Sequence, residues 1–132
     1  MTEPLRRGWY SREIDADKLQ LAGIYLWTIG DDALYVGQAR RLRSRIRQYP
    51  NNVRRLLAGL PYRKAKPSEY RKIHVALAEA YNKSSQVTVS VLEVCEPELL
   101  NERERYWIDR HRTEAKRRGC CLLNSSLDAT RE

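Results

Sequence analysis

The sequence predicts an α+β domain in which a small, mainly antiparallel, three-stranded sheet is flanked by helices. Two neighbouring runs of β-branched and aromatic residues indicate a hairpin, and a later run of alternating valines indicates a third strand. Three other segments place apolar residues at helical spacing, which gives the order β-β-α-α-β-α along the chain. The length of 132 residues is typical of one domain with its own hydrophobic core.

The first two strands, residues 23–28 and 33–37, are the arms of the predicted hairpin. With a three-residue loop, Trp27 pairs with Tyr35, and Tyr25 lies on the same face of the sheet because opposed residues point the same way. Aromatic residues are common in strands, so packing alone is sufficient to explain the two tyrosines at this point.

Three helices and a third strand follow the hairpin. The first predicted helix, Arg40–Tyr49, ends at Pro50, because a proline removes a helical hydrogen bond and clashes with the preceding turn. Glu69–Asn82 is the clearest amphipathic helix, with an apolar stripe along one side. Gln86–Val94 alternates as a strand, and the last helix covers residues 97 to about 112.

Composition and segment boundaries narrow the class of protein. The predicted domain covers residues 23–126 with a basic insertion at about 50–70, between an N-terminal extension, residues 1–22, and a C-terminal tail, residues 127–132. No run of about eighteen apolar residues is present, and the N-terminus lacks the apolar core of a secretory signal. The three cysteines show no metal-binding spacing and cannot all pair, which is typical of a reducing compartment. We therefore expect a cytoplasmic or nucleoid-associated protein.

The positive charge of the chain is concentrated in one segment. Between Gln38 and Val75 there are twelve basic residues and one acidic residue, whereas the formal charge of the whole chain is +8. This bias indicates a polyanionic partner, nucleic acid in the first place, since arginine forks suit phosphate oxygens. A membrane surface fits less well because no strongly apolar amphipathic helix accompanies the charges. The residues expected to contact the nucleic acid are Arg40, Arg41, Arg43, Arg47, Arg54, Arg55, Arg63, Lys64 and Lys66.

Two charged residues lie where the helical periodicity predicts apolar contacts. Arg45 falls at the edge of the apolar stripe of its helix, where an arginine often covers apolar surface with its stem. Glu104 falls inside the stripe that contains Trp107 and Ile108, and burying a lone carboxylate is unfavourable unless it is paired or holds a metal. A salt bridge with Arg45 or with His111 would explain it as well as a functional role.

Taken together, these residues resemble the GIY-YIG nuclease family. The two motifs of the name are present as Gly23-Ile24-Tyr25 and, ten residues later, Tyr35-Val36-Gly37, with Val in place of the usual Ile. The family pattern continues with an arginine, a histidine or tyrosine four residues later, a helix with glutamate, an aromatic residue and Trp-Ile, and a terminal asparagine. In this sequence the corresponding elements are Arg45, Tyr49, Glu104-Arg105-Tyr106-Trp107-Ile108 and Asn124.

The resemblance implies a metal-dependent DNA endonuclease that hydrolyses phosphodiester bonds. It assigns Tyr25 as the general base and Arg45 as the residue that stabilises the scissile phosphate. Glu104 is expected to hold one divalent ion per active site, Mg²⁺ or Mn²⁺, and such an ion keeps several waters when a single carboxylate binds it.

Four further residues receive a role from the same resemblance. Tyr35 and Tyr49 are expected to position water and phosphate, and Asn124 to orient Glu104 or the phosphate. Lys72 is a further candidate, because some family members use a histidine or lysine in the next helix.

Double-stranded or branched DNA is the expected partner. Specificity is expected to come from the N-terminal extension, the basic insertion, a homodimer or a partner protein. The competing interpretation is a non-catalytic module that kept the same fold for its basic, nucleic-acid-binding surface.

Overall fold

The α+β class is confirmed by the structure, a computed structural model that describes residues 4–60 and 71–124. Its strands are β1 (Ser11–Glu13), β2 (Gly23–Ile29), β3 (Ala33–Ala39), β4 (Val87–Val94) and β5 (Cys121–Leu122). Its α-helices are α1 (Leu42–Leu57), α2 (Lys72–Lys83) and α3 (Leu100–Arg118). Short 3-10 helices cover Ala16–Lys18 and Pro97–Leu99.

The sheet is mixed, with the strand order β1-β4-β2-β3-β5. Its three central strands are antiparallel, as predicted, but the prediction of only three strands was wrong because β1 and β5 add parallel edges. Both edge strands are short, and β1 is fully exposed, so neither carries the apolar alternation that identifies a strand in sequence. Backbone pairing holds them in the sheet instead: β1 pairs with β4 and β5 with β3, and both partners are strands whose side chains pack in the core.

The hairpin has a three-residue loop, and its register is the one that a loop of this length predicts. Trp27 pairs with Tyr35, and Tyr25 pairs with Gly37. A Cβ at Gly37 would lie 2.6 Å from Cε1 of Tyr25, so only glycine lets the tyrosine ring cross the neighbouring strand at this point. The glycine of the second motif therefore makes room for the tyrosine of the first.

Helix α1 continues through Pro50, so the prediction that the helix ends there was wrong. A proline inside a helix is unfavourable by about 3 kcal/mol. Beyond it, Val53 is fully buried and Leu56 packs against the core, and each buried aliphatic side chain contributes roughly 1.5–3 kcal/mol. Packing of the continued apolar stripe therefore outweighs the local penalty, and the first part of the predicted basic insertion is helical.

The sheet carries helices on both faces. Its core with α1 and α2 contains Tyr25, Trp27 and Tyr35, whereas Ile24 and Val36 pack on the other face with α3. Beyond residue 34, β3 has no strand partner on its outer side among the described residues. This open edge lets side chains from both faces meet.

Candidate active site

A small cleft of about 50 Å³ lies at this open edge of β3. It brings together residues from four separate elements, β2, β3, α1 and α3, and from the residue that precedes α2. The lining residues are Tyr25, Tyr35, Gly37, Gln38, Arg45, Arg71 and Glu104. Four of the predicted site residues therefore converge, although up to about eighty positions separate them in the chain.

Two of the tyrosines form a buried hydrogen-bonded pair. The hydroxyl groups of Tyr25 and Tyr49 contact each other, and their rings meet edge-on with centroids 5.8 Å apart. Only Tyr25 lines the cleft; Tyr49 lies behind it, with its ring 5.6 Å from that of His74. Tyr49 thus supports Tyr25 from the core.

Burial sets the protonation of this pair. Burial is the main reason why the pKa of Tyr25 lies well above its ordinary value, and neighbouring Tyr35 raises this pKa further. The hydrogen bond with Tyr49 and the guanidinium of Arg45 lower the pKa of Tyr25 but do not offset the burial. The pKa of Tyr49 is raised by burial in the same way, so both phenols are neutral at neutral pH.

Glu104 is the carboxylate of the cleft, and it is 7% exposed. Its Oε1 accepts a hydrogen bond of 2.8 Å from Nε2 of Gln38, which also donates to Oδ1 of Asn101 at 2.8 Å. His111, one of the two partners considered from sequence, bonds through Nδ1 to the carbonyl oxygen of Trp107 at 2.9 Å instead. Gln38 thus ties the carboxylate to β3.

Gln38 was missed by the sequence analysis, although a signal for it exists. Residues along β3 alternate between faces, so the position after Gly37 faces α3, where Glu104 was predicted. A polar residue at that position, facing a carboxylate on a packed helix, is a candidate hydrogen-bond partner.

Arg45 enters the cleft from α1 and is half-buried. It lies four residues before Tyr49, on the shoulder of the buried stripe, as the periodicity predicted. Its charge is therefore at the boundary between the core and solvent, where it is less screened than on an open surface.

Arg71 is the second arginine of the cleft and was not predicted. It is the N-cap of α2, and its Nη1 donates to the hydroxyl oxygen of Tyr35 at 3.4 Å. The predicted Lys72 is exposed and does not line the cleft. Both residues fall inside the helix predicted over Glu69–Asn82, and the family resemblance, which places a histidine or lysine in this helix, pointed to the neighbouring lysine.

Asn124 is buried but does not line the cleft. Its Oδ1 accepts from the backbone N–H of Val36 at 2.9 Å, and its Nδ2 donates to the carbonyl oxygen of Val36 at 2.8 Å. Both ends of the amide are used on β3, between Tyr35 and Gly37. The side chain therefore fastens the C-terminal segment to the second motif and does not contact Glu104 through these bonds.

The predicted nucleic-acid contacts divide into three groups. Arg40, Arg41, Arg43 and Arg47 are exposed around the start of α1, and Arg54 and Arg55 are half-buried in its last turns. Arg41 also donates through Nε to Oε1 of Gln20 at 2.8 Å. Arg63, Lys64 and Lys66 lie outside the described residues. The first group forms an exposed basic face beside the cleft.

Among the described residues that line the cleft, Glu104 is the one with a carboxylate that could hold a metal ion. Within residues 4–60 and 71–124, no group of three or more His, Cys, Asp and Glu side chains is placed to hold a metal ion. A hard cation such as Mg²⁺ commonly binds through one or two carboxylates and takes its other ligands from water and substrate phosphate. A single carboxylate such as Glu104 suits this open kind of site. It does not suit a closed site in which protein side chains supply every ligand.

The described part of the chain contains no helix with both the length and the apolar character needed to cross a bilayer.

Comparison with known proteins gives one match. The family model described as the GIY-YIG catalytic domain covers residues 21–118, which is most of the chain and includes the cleft residues. No curated protein and no solved structure shows a significant match to the chain.

Proposed function

The chain belongs to the GIY-YIG family of nucleases, and on that premise we propose that it is a metal-dependent DNA endonuclease that cuts in the cleft. One observation carries the proposal. Tyr25, Tyr35, Arg45 and Glu104, which lie far apart in sequence, line a single cleft beside an exposed basic face. These residue types supply what phosphodiester hydrolysis needs: a cation for the phosphate, a carboxylate for a metal, and hydroxyls for proton handling.

The first step of the proposed reaction is the binding of DNA and the orientation of its scissile phosphate by arginines. In the proposal, the exposed arginines of α1 attract the DNA backbone without reading its sequence. Arg45 contacts the scissile phosphate, because it combines proximity to the cleft with a partly buried charge. A guanidinium can offer two parallel N–H donors to a phosphate, which orients the phosphorus as well as neutralising it.

Glu104 is the proposed metal ligand. A bound divalent ion would supply charge neutralisation at the phosphate and a more acidic water. The hydrogen bond from Gln38 fixes the Glu104 carboxylate against β3, so that the ligand is oriented before substrate arrives. The substitution Glu104→Gln would therefore remove the acidic ligand that the described residues of the cleft present.

Tyr25 is the proposed general base, and its burial decides when it can act. The phenol starts neutral because its pKa is raised, and a phenolate forms only if positive charge near its oxygen offsets the burial. Arg45 already acts in that direction. The hydrogen bond to Tyr49 holds the hydroxyl in place while its proton is exchanged.

The proposal is tested with the purified chain on supercoiled, linear, nicked and branched DNA. We expect cleavage of at least one form with Mg²⁺ or Mn²⁺, and full loss of cleavage with EDTA. EDTA should leave the melting temperature unchanged, because a site with one carboxylate contributes little to folding.

Two results would contradict the proposal. Cleavage that persists in EDTA would show that the reaction needs no metal. Salt-dependent binding with no cleavage of any DNA or RNA form, with either metal, would favour the non-catalytic binding module instead.

A further inference from the structure

We propose that Arg71 is a second phosphate-contacting catalytic residue, which shares the scissile phosphate with Arg45; this inference rests on the proposed nuclease function. Arg71 lines the same cleft as Arg45 and Glu104, and it reaches the cleft from a different helix. Its guanidinium also contacts the Tyr35 hydroxyl, a cleft residue of the second motif.

The charge balance of the cleft supports this role. Among the described residues, the charged side chains that line the cleft are two arginines and one carboxylate. The carboxylate is the proposed metal ligand, so of these side chains the two arginines are the ones that can contact the phosphate. Without Arg71, negative charge that grows on the phosphate in the transition state would have one cation fewer to stabilise it.

The chain holds Arg71 in place through its backbone. The N–H of Arg71 donates to Nδ1 of His74 at 3.2 Å, and the carbonyl oxygen of Arg71 accepts from the N–H of His74 at 3.0 Å. His74 is 4% exposed, and its Nε2 lies 3.2 Å from Nδ2 of Asn52 on α1. The start of α2 is therefore fixed against α1, the helix that carries Arg45.

The hydrogen bond to Tyr35 also orients that hydroxyl. A guanidinium can only donate, so the Tyr35 oxygen accepts from Arg71 at 3.4 Å. In the proposal Arg71 therefore contacts the phosphate directly and holds the Tyr35 hydroxyl beside it.

Lys83 provides a control on the same helix. It carries the same charge, is exposed at the far end of α2 and lies outside the cleft. Arg71→Gln and Lys83→Gln remove the same formal charge from the two ends of this helix. A difference between them therefore isolates what the guanidinium does in the cleft.

The test compares single-turnover cleavage by wild type, Arg71→Gln, Arg71→Gly and Lys83→Gln, with DNA affinity measured on the same proteins. We expect Arg71→Gln to lose about 100-fold in rate, as when one transition-state donor is removed, with little loss of affinity. Lys83→Gln should stay within about threefold of wild type in rate, since it is a surface change away from the cleft. Added guanidinium ion should restore part of the rate of Arg71→Gly.

The outcomes separate the two claims. An inactive wild type overturns the proposed function itself. An active wild type with equal rates for Arg71→Gln and Lys83→Gln overturns the role of Arg71 alone. A loss of rate in Arg71→Gln that follows a lowered melting temperature, and that guanidinium does not restore in Arg71→Gly, shows a structural role and also overturns it.

Discussion

Helix α1 places arginines of the same kind in two different environments. Arg45 is half-buried and lines the cleft, whereas Arg43 and Arg47, two residues to either side, are exposed on the basic face. In the proposed function, half a turn of helix therefore separates a cation placed for the reacting phosphate from cations placed for the DNA backbone. Net charge along the sequence does not distinguish these two kinds of arginine, but burial and cleft lining do.

Among the arginines of α1, the largest difference is expected between Arg45→Lys and Arg47→Lys. Both variants keep the charge, but lysine loses the planar fork that binds a phosphate with two parallel hydrogen bonds. Arg45→Lys should lose about 100-fold in single-turnover rate with little change in affinity. Arg47→Lys should change neither quantity by more than about twofold, because an exposed backbone contact needs charge and not shape. Equal losses in the two variants would show that α1 does not divide its arginines in this way.

A smaller effect is expected on stability, from the packing that holds α2 against α1. Burial, and then the nearby Arg71 guanidinium, lower the pKa of His74 from 6.5 to about 4. The folded state therefore resists protonation of His74, while the unfolded state accepts a proton below pH 6.5. The contribution of neutral His74 to the free energy of unfolding is complete above pH 6.5. It is lost as the pH falls from 6.5 to about 4, by about 3 kcal/mol in total.

Urea unfolding at several pH values measures this effect. The wild type should lose more free energy of unfolding between pH 7 and pH 4 than His74→Gln, and the difference should approach about 3 kcal/mol. His111→Gln, which changes the histidine of α3, is the control and should keep the wild-type dependence. The same pH dependence in wild type and His74→Gln would contradict the assignment.

The elements that could be predicted from the sequence are those fixed by local periodicity. The alternation of β2 and β3, with a short loop, was enough to predict that Trp27 pairs with Tyr35. The spacing of the apolar residues in α3 was enough to predict that Glu104 is buried. Both features depend on geometry that repeats every two residues or every 3.6 residues.

The elements that could not be predicted depend on tertiary contacts. Helix α1 passes Pro50 because its later turns bury apolar side chains, and β5 exists because its backbone pairs with β3. Arg71 falls inside the helix predicted over Glu69–Asn82, whereas α2 begins at Lys72 and Arg71 reaches the cleft from its N-cap. Asn124 matched the family motif, but only the folded chain shows that its amide is used on the backbone of Val36.

We propose that the cleft residues carry out the chemistry, with Glu104 as the metal ligand, while the exposed basic face binds DNA. The most direct measurement is the single-turnover cleavage rate of Glu104→Gln against Glu102→Gln, an exposed carboxylate on the same helix, with Mg²⁺ present. We expect a loss of at least about 1,000-fold for Glu104→Gln, with DNA affinity and helix content retained, and a rate near wild type for Glu102→Gln. A Glu104→Gln protein that cuts as fast as Glu102→Gln would contradict this assignment.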